Sequence, residues 1–141
     1  MSVSARVHYA AQALVELAIR RDDPSPVSLG EITDRHGVPG PFLTQIMRTL
    51  RTRGLVTSIR GAQGGYRLNV DPASITLWDV NELVSGCEAT GDCTGESSHS
   101  GRRLREVWRE AASASEAVMR ATTLQDIAEA VRDGDSAMYY I

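Results

Sequence analysis

Four short segments in the first half of the chain constrain its fold more than any other feature. Ser28, followed three residues later by a glutamate, forms a capping-box pattern that predicts a short helix over residues 29–36. A tight turn with two glycines and a proline leads to a second helix over residues 41–53. Two β-rich runs, residues 55–59 and 66–70, flank a glycine-rich loop and predict a β-hairpin. This order is typical of a winged helix-turn-helix.

Apolar residues at helical spacing predict the remaining elements. A first helix is expected over residues 3–20, and Thr76 with Asp79 caps another helix that Gly86 closes. A long helix is expected from residue 102 to about residue 121, and a last short helix over residues 123–131. The residues expected on the inner side of the long helix are Leu104, Val107, Trp108, Ala111 and Val118.

The predicted fold is mainly α with a small β-hairpin wing, a winged helix-turn-helix plus a long dimerisation helix. Residues 1–85 are expected to form the DNA-binding domain, residues 86–100 a Cys/His cluster-binding loop, and residues 101–141 the dimerisation helix and a C-terminal helix. Small residues on one face of the long helix suit close packing against an antiparallel helix of a second chain; they are Ala111, Ala114 and Ser115. A homodimer would match a palindromic operator. The alternative is a helix packed only on its own domain.

Charge is distributed unevenly along the chain. Residues 1–70 carry nine Arg and five acidic residues, whereas residues 71–141 carry six Arg and thirteen acidic residues. Residues 42–67 contain five Arg and no acid. A basic half joined to an acidic half indicates that the first half meets phosphate.

The second helix of the helix-turn-helix and the wing supply the candidate DNA contacts. Arg48 can read guanine and Gln45 can read adenine through paired hydrogen bonds in the major groove. Arg60 at the base of the wing and Gln63 near its tip suit phosphate or minor-groove contacts. The full candidate set is Arg6, Thr44, Gln45, Arg48, Arg51, Arg60, Gln63 and Tyr66. The alternative is a winged helix that contacts protein, with its arginines solvated.

The two cysteines of the chain lie in the polar loop after the predicted domain. Cys87 and Cys93 are separated by five residues, and five more residues separate Cys93 from His99. Thiolate and imidazole ligands suit zinc or an iron–sulfur centre. An unrelated pair of free thiols, or a reversible disulfide between the two cysteines, is the alternative.

Two sequence blocks resemble a known family. The first is His8-Tyr9-Ala10, and the second, over residues 50–68, reads LRTRGLVTSIRGAQGGYRL. Together they resemble the Rrf family of bacterial winged-helix transcriptional regulators, whose IscR-like and NsrR-like members sense iron–sulfur status or nitric oxide. Residues 75–80 and 123–126 also fit, so that the resemblance covers nearly the whole chain.

The resemblance also implies a set of cluster ligands. Family members that bind a cluster carry three cysteines in this loop, and a fourth ligand comes from a histidine nearby or from the partner's first helix. Here Cys87 and Cys93 match the first two cysteines, His99 stands at the third position, and the partner's His8 stands at the fourth. Two thiolates and two imidazoles suit a [2Fe–2S] cluster, and equally tetrahedral zinc. The alternatives for His8 are a phosphate contact at the edge of the DNA-binding domain, or a surface histidine without a ligand role.

These observations predict a homodimeric transcriptional repressor whose DNA binding is controlled by an iron–sulfur cluster, [2Fe–2S] being favoured, that senses redox state, nitric oxide or iron–sulfur status. One alternative is a regulator without a cluster that uses a Cys87–Cys93 thiol switch or a protein partner. Another is a zinc-stabilised protein-interaction module.

Enzymatic activity is not expected, because the sequence offers no nucleophile–base arrangement, no phosphate-binding loop before a helix and no paired catalytic carboxylates. A cytoplasmic location is expected, because the N-terminus has no signal-peptide core and no apolar run reaches the length of a membrane span.

Overall fold

The computed structural model describes residues 3–86 and 98–138. Within this part of the chain, six helices and one β-hairpin follow each other along the sequence, and a short 3₁₀ turn lies between the hairpin and the fourth helix. The elements are α1 (Ala5–Ile19), α2 (Leu29–His36), α3 (Gly40–Thr52), β1 (Val56–Ile59), β2 (Gly65–Leu68), α4 (Leu77–Ser85), α5 (His99–Ala121) and α6 (Leu124–Met138). This is the winged helix-turn-helix with a long additional helix that the sequence predicts.

Helix α1 lies at the centre of the packing and contacts α2, α3, α4, α6 and β2. Ser4 begins the helix, since its hydroxyl accepts a hydrogen bond from the backbone N–H of Val7. Three alanines lie on its buried face beside larger apolar side chains, and they let neighbouring helices approach closely. The largest fully buried side chains of the described core are Leu14, Leu17, Val27, Ile32, Val38, Leu43, Ile46, Met47, Leu50, Val56, Val80 and Leu124.

The predicted helix starts depend on local hydrogen bonds, and one of them forms only in part. Thr76 and Asp79 form a complete capping box at the start of α4. At the start of α2, Ser28 accepts the backbone N–H of Glu31. The Glu31 carboxylate does not return to the Ser28 backbone as the capping box requires, because it accepts a hydrogen bond from Arg20 of α1 instead. That half of the predicted box is therefore wrong, and the glutamate joins α2 to α1.

The wing is an antiparallel hairpin in which Val56 pairs with Leu68 and Ile59 pairs with Gly65. Val27 adds a short bridge to β2, with two backbone hydrogen bonds to Tyr66. Gly65 is required there, because a Cβ atom at this position would lie 2.3 Å from the carbonyl oxygen of Val27. The residue just before the cap of α2 thus holds the wing against the helix-turn-helix.

Helix α5 differs from its prediction in two respects. It begins at His99, three residues earlier than expected, because Ser98 caps it by accepting the backbone N–H of Gly101. The expected inner side is wrong for a single chain, since none of its residues is buried. Leu104, Trp108 and Val118 are 53%, 64% and 67% exposed.

Helix α6 is longer than predicted and returns to the first helix. It reaches Met138, whereas the sequence pattern predicts an end near residue 131. Leu124 and Ala128 are buried, and α6 contacts α1. The Arg132 guanidinium donates to the carbonyl oxygen of Ile19 at 2.6 Å, which satisfies an orphan acceptor at the end of α1. Among the described helices, none combines the length and apolar character that a bilayer crossing needs.

Candidate nucleic-acid interface

Helix α3 separates an apolar face from a polar one along its whole length. Leu43, Ile46, Met47 and Leu50 are buried against the core. Phe42 is half-buried and packs edge to face on Tyr9 of α1, with 5.7 Å between ring centroids. Besides Pro41 and Thr52, the exposed side chains of α3 are Thr44, Gln45, Arg48 and Arg51. These are the four positions that the helical pattern predicts for base or phosphate contacts.

The threonines of α3 have their hydroxyl donors occupied within the helix. The Thr44 hydroxyl donates to the carbonyl oxygen of Gly40 at 2.9 Å. Thr49 and Thr52 make the same bond to the carbonyl oxygens four residues earlier, at 3.2 and 2.9 Å. By contrast, the Gln45 and Arg48 head groups make no hydrogen bond within the described residues. The polar face of α3 therefore presents two unengaged head groups, Gln45 and Arg48, beside threonines whose donors are already used.

Two further arginines are tethered on either side of α3. Arg6 of α1 donates to the Thr49 hydroxyl at 3.3 Å, and Arg51 donates to Ser58 of β1 at 3.5 Å. Both side chains are exposed. The sequence predicts Arg6 and Arg51 as DNA contacts, and the structure places one where α1 meets α3 and the other where α3 meets the wing.

The wing carries its predicted residues at different depths. Arg60 and Gln63 are exposed around the loop between β1 and β2, whereas Tyr66 is half-buried and packs against the core. Gly64 cannot carry a side chain, since a Cβ atom there would lie 2.2 Å from the carbonyl oxygen of Ile59. The loop therefore folds back tightly on β1 and exposes its backbone.

The positive charges of α3 and the wing are not neutralised by acidic residues within the described part of the chain. Among all described residues, the arginines that form ion pairs are Arg20, Arg21, Arg35, Arg103 and Arg120. None of these ion pairs involves the five arginines between residues 42 and 67, which belong to α3, the wing and the segment that joins them. Arginines without an acidic partner are suited to phosphate contacts.

A buried carboxylate, which the sequence pattern does not predict, lies behind α2 and joins it to α1. Glu16 of α1 is 3% exposed. Its Oε1 atom lies 2.8 Å from the Arg35 guanidinium of α2 and 3.2 Å from Nε of Arg20. Its Oε2 atom lies 3.4 Å from Nε2 of His36, which ends α2. A carboxylate deprived of water needs charged partners, and the two arginines supply them; the Arg35 contact also fixes α2 on α1. The spacing of Glu16 and Arg20 is the only local signal in the sequence.

The predicted metal ligands are only partly within the described residues. His8 lies exposed on α1, and His99 is exposed at the first position of α5. Cys87 and Cys93 lie outside the described residues. Among the residues that are described, no group of three or more His, Cys, Asp or Glu side chains forms a metal site.

A recognition helix with a free polar face, a wing at its side and uncompensated arginines on both define a winged helix-turn-helix DNA-binding protein. Residues 3–130 match the Rrf2 family, described as an iron-dependent transcriptional regulator. The chain belongs to this family.

Two relatives are similar to the chain over different lengths. CymR of Bacillus subtilis, an HTH-type transcriptional regulator, is 32% identical over 139 residues, which cover 99% of this chain and 97% of CymR. The HTH-type transcriptional regulator IscR of Vibrio vulnificus is 36% identical over 101 residues, which cover 67% of this chain and 60% of that protein.

Solved structures give the same two relationships. The structure of CymR, named the global cysteine regulator of B. subtilis, superposes with a TM-score of 0.78 at 31% identity, covering 92% of this chain and 97% of CymR. The structure of T. potens IscR superposes with a TM-score of 0.75 at 34% identity, covering 99% and 97%. The chain is an Rrf2-family transcriptional regulator.

Proposed function

We propose that this regulator is a homodimeric repressor that binds a palindromic operator through α3 and the wing. The observation that carries the proposal is the exposed polar face of α3 beside a wing whose arginines have no ion-pair partner in the described residues. Phosphate contacts by these arginines would position the protein, and Gln45 and Arg48 would read base edges.

The partner that we propose for α5 is a second copy of the chain. Three large apolar side chains of α5 are more than half exposed, and they are Leu104, Trp108 and Val118. Ala111, Ala114 and Ser115 provide a stretch of small side chains near the middle of the same helix. Two such helices can cross closely at their centres and cover each other's apolar residues. A two-fold axis between them would present two copies of α3 to a palindrome.

We propose further that Cys87, Cys93 and His99, with His8 of the partner subunit, hold an iron–sulfur cluster, [2Fe–2S] being favoured. The donor set of thiolates and imidazoles fits such a cluster, and both histidines are exposed at the ends of helices. The family's description as iron-dependent and the likeness to IscR support this choice. When bound, the cluster supplies a redox-active group that responds to oxidant, nitric oxide or iron–sulfur supply.

A second mechanism is favoured by the likeness to CymR, which extends over almost the full length of both chains. In this mechanism Cys87 and Cys93 form a reversible disulfide. An oxidant accepts two electrons, the two thiols lose two protons, and one S–S bond forms. DNA affinity would then respond to oxidant in a protein that contains no metal.

The first experiment is to purify the full chain without oxygen, record its visible absorption spectrum and measure iron, sulfide and zinc. About two irons and two sulfides per subunit would support the cluster mechanism, and His99→Ala should then bleach the colour. A colourless protein with neither metal supports the thiol switch, and stoichiometric zinc would contradict both mechanisms. DNA binding is tested separately by fluorescence anisotropy at several salt concentrations. Affinity that does not fall with salt would contradict DNA binding itself.

A further inference from the structure

The exposed side chains of α3 differ in the chemical groups that they can offer to a base. The Thr44 hydroxyl has given its only proton to the carbonyl oxygen of Gly40, at 2.9 Å. A threonine bonded in this way directs its methyl group away from the helix, because Oγ1 is turned back toward the preceding turn. Thr44 therefore presents an apolar methyl at the surface.

The position of Thr44 in the helix adds a second observation. It lies in the first half of α3, whose bounds are Gly40–Thr52, and it is exposed. Residues near the start of a recognition helix are those that reach base edges. Thr44 is adjacent to Gln45 and one turn before Arg48, the two residues of α3 whose head groups are unengaged in the described structure.

Two other arginines beside this part of α3, Arg51 and Arg6, are held away from that role by hydrogen bonds. Arg51 lies in the last turn of α3 and is bonded to Ser58 of the wing, and Arg6 is bonded to Thr49. Side chains tethered at the two flanks of a recognition helix suit the two phosphate backbones that border a major groove. The tethered Arg6 and Arg51 thus flank a central strip of exposed side chains, Thr44, Gln45 and Arg48.

We propose that Thr44 is a specificity-determining residue that selects a thymine in each half-site by contact with its 5-methyl group. The inference rests on the proposed DNA-binding function and deepens it. Thymine is the base that offers an apolar group in the major groove, and a threonine methyl is a suitable contact for it. The adjacent Gln45 and Arg48 read purines, so that the half-site combines a thymine with adenine and guanine.

The test begins with selection of bound duplexes from a random DNA pool by the full chain. Each thymine of the selected half-site is then replaced by deoxyuridine, which removes only the methyl group. In the wild-type protein, one replacement should weaken binding about fourfold, the effect of burying one methyl-sized group. Thr44→Ser keeps the hydroxyl and its bond to Gly40 but lacks the methyl, and it should bind the thymine and deoxyuridine duplexes equally. Thr44→Val keeps a methyl at that place and should still discriminate.

The outcomes separate this inference from the function on which it rests. Equal sensitivity to deoxyuridine in the wild type and Thr44→Ser would overturn the inference and leave DNA binding intact. Loss of discrimination in Thr44→Val would also overturn it, because the hydroxyl would then be the reading group. If selection enriches no sequence and affinity shows no salt dependence, the proposed function fails, and the inference fails with it. Thermal unfolding of the three proteins should coincide, since Thr44 is exposed.

Discussion

Helices α3 and α5 are both amphipathic, but only α3 covers its apolar face within the chain. Four side chains of α3 are buried, whereas no side chain of α5 is. Burial of the apolar face fixes the orientation of α3 on the domain. Its polar face is therefore exposed, where DNA can contact it. The apolar residues of α5 remain exposed, so the free energy that their burial would contribute becomes available only when a partner covers them. The two helices therefore differ in what their exposed faces can bind: the exposed face of α3 is polar, and that of α5 carries large apolar side chains.

The largest expected effect is on the free energy of unfolding, and its dependence on protein concentration should differ between core variants of α3 and surface variants of α5. Leu50→Ala in α3 should lower the free energy of unfolding by about 2–5 kcal/mol at any protein concentration, because it leaves a cavity in the core. Leu104→Ala in α5 should cost less, and its effect should disappear on dilution as the dimer dissociates. Urea unfolding of both variants at two protein concentrations makes the measurement. Equal, concentration-independent losses would show that α5 packs on its own domain.

A negative charge on the exposed apolar face of α5 should weaken self-association of the chain. Trp108→Glu should weaken the dimer by about 2 kcal/mol or more, because buried tryptophans at the centre of an interface contribute strongly to association. Ser113→Glu serves as the control, since residue 113 lies about 140° around the helix from residue 108. Sedimentation equilibrium of both variants is the measurement. A dimer that tolerates Trp108→Glu but dissociates in Ser113→Glu would place the interface on another face.

A smaller effect on stability is expected from alanine substitutions at two glycines, Gly65 of the wing and Gly134 of α6, because only Gly134 has room for a Cβ atom. Gly65→Ala should destabilise the chain by about 1–3 kcal/mol and displace the wing, because the new Cβ would meet the carbonyl oxygen of Val27 at 2.3 Å. Gly134→Ala in α6 meets nothing within 4 Å and should stabilise by up to about 1 kcal/mol. Urea unfolding should give opposite signs for the two variants. A neutral Gly65→Ala would contradict the close approach of β2 to Val27.

The smallest effect concerns the salt dependence of DNA affinity. Arg60→Ala in the wing should reduce the slope of log affinity against log salt by about one, because one phosphate contact is lost. Arg103→Ala in α5 should leave the slope unchanged, since Arg103 pairs with Glu106 on the same helix. Fluorescence anisotropy titrations at four salt concentrations are sufficient. Equal slopes for the two variants would place Arg60 away from the phosphate backbone.

Elements with local signals were predicted well, and contacts between distant residues were not. The bounds of α2 match those expected from the capping serine and the following glycine, and the exposed face of α3 follows from its apolar spacing. The start of α5 was missed because Ser98 lies in a polar stretch that resembles a loop. The extension of α6 to Met138 was missed because its last turns carry few apolar residues.

The candidate site shows the same limit. Its residue types and their order along α3 could be predicted, because helical periodicity decides which side chains are exposed. The Glu16–Arg35 contact joins residues nineteen positions apart, and sequence spacing gives no sign of it. The internal bonds of the threonines depend on the choice of side-chain rotamer, which periodicity does not determine. The mechanism that involves Cys87 and Cys93 stays a proposal, because both residues lie outside the described part of the chain.

The return of α6 to α1 has a consequence for protein engineering. Leu124 and Ala128 belong to the same buried set as the core of the helix-turn-helix, and Arg132 closes the end of α1. A fragment that ends after the wing and α4 would therefore expose an apolar face of α1 to water. The helix-turn-helix and wing are therefore not expected to fold as an isolated fragment. A chimera designed to have the DNA specificity of this chain should include α6, or it should exchange only the exposed side chains of α3.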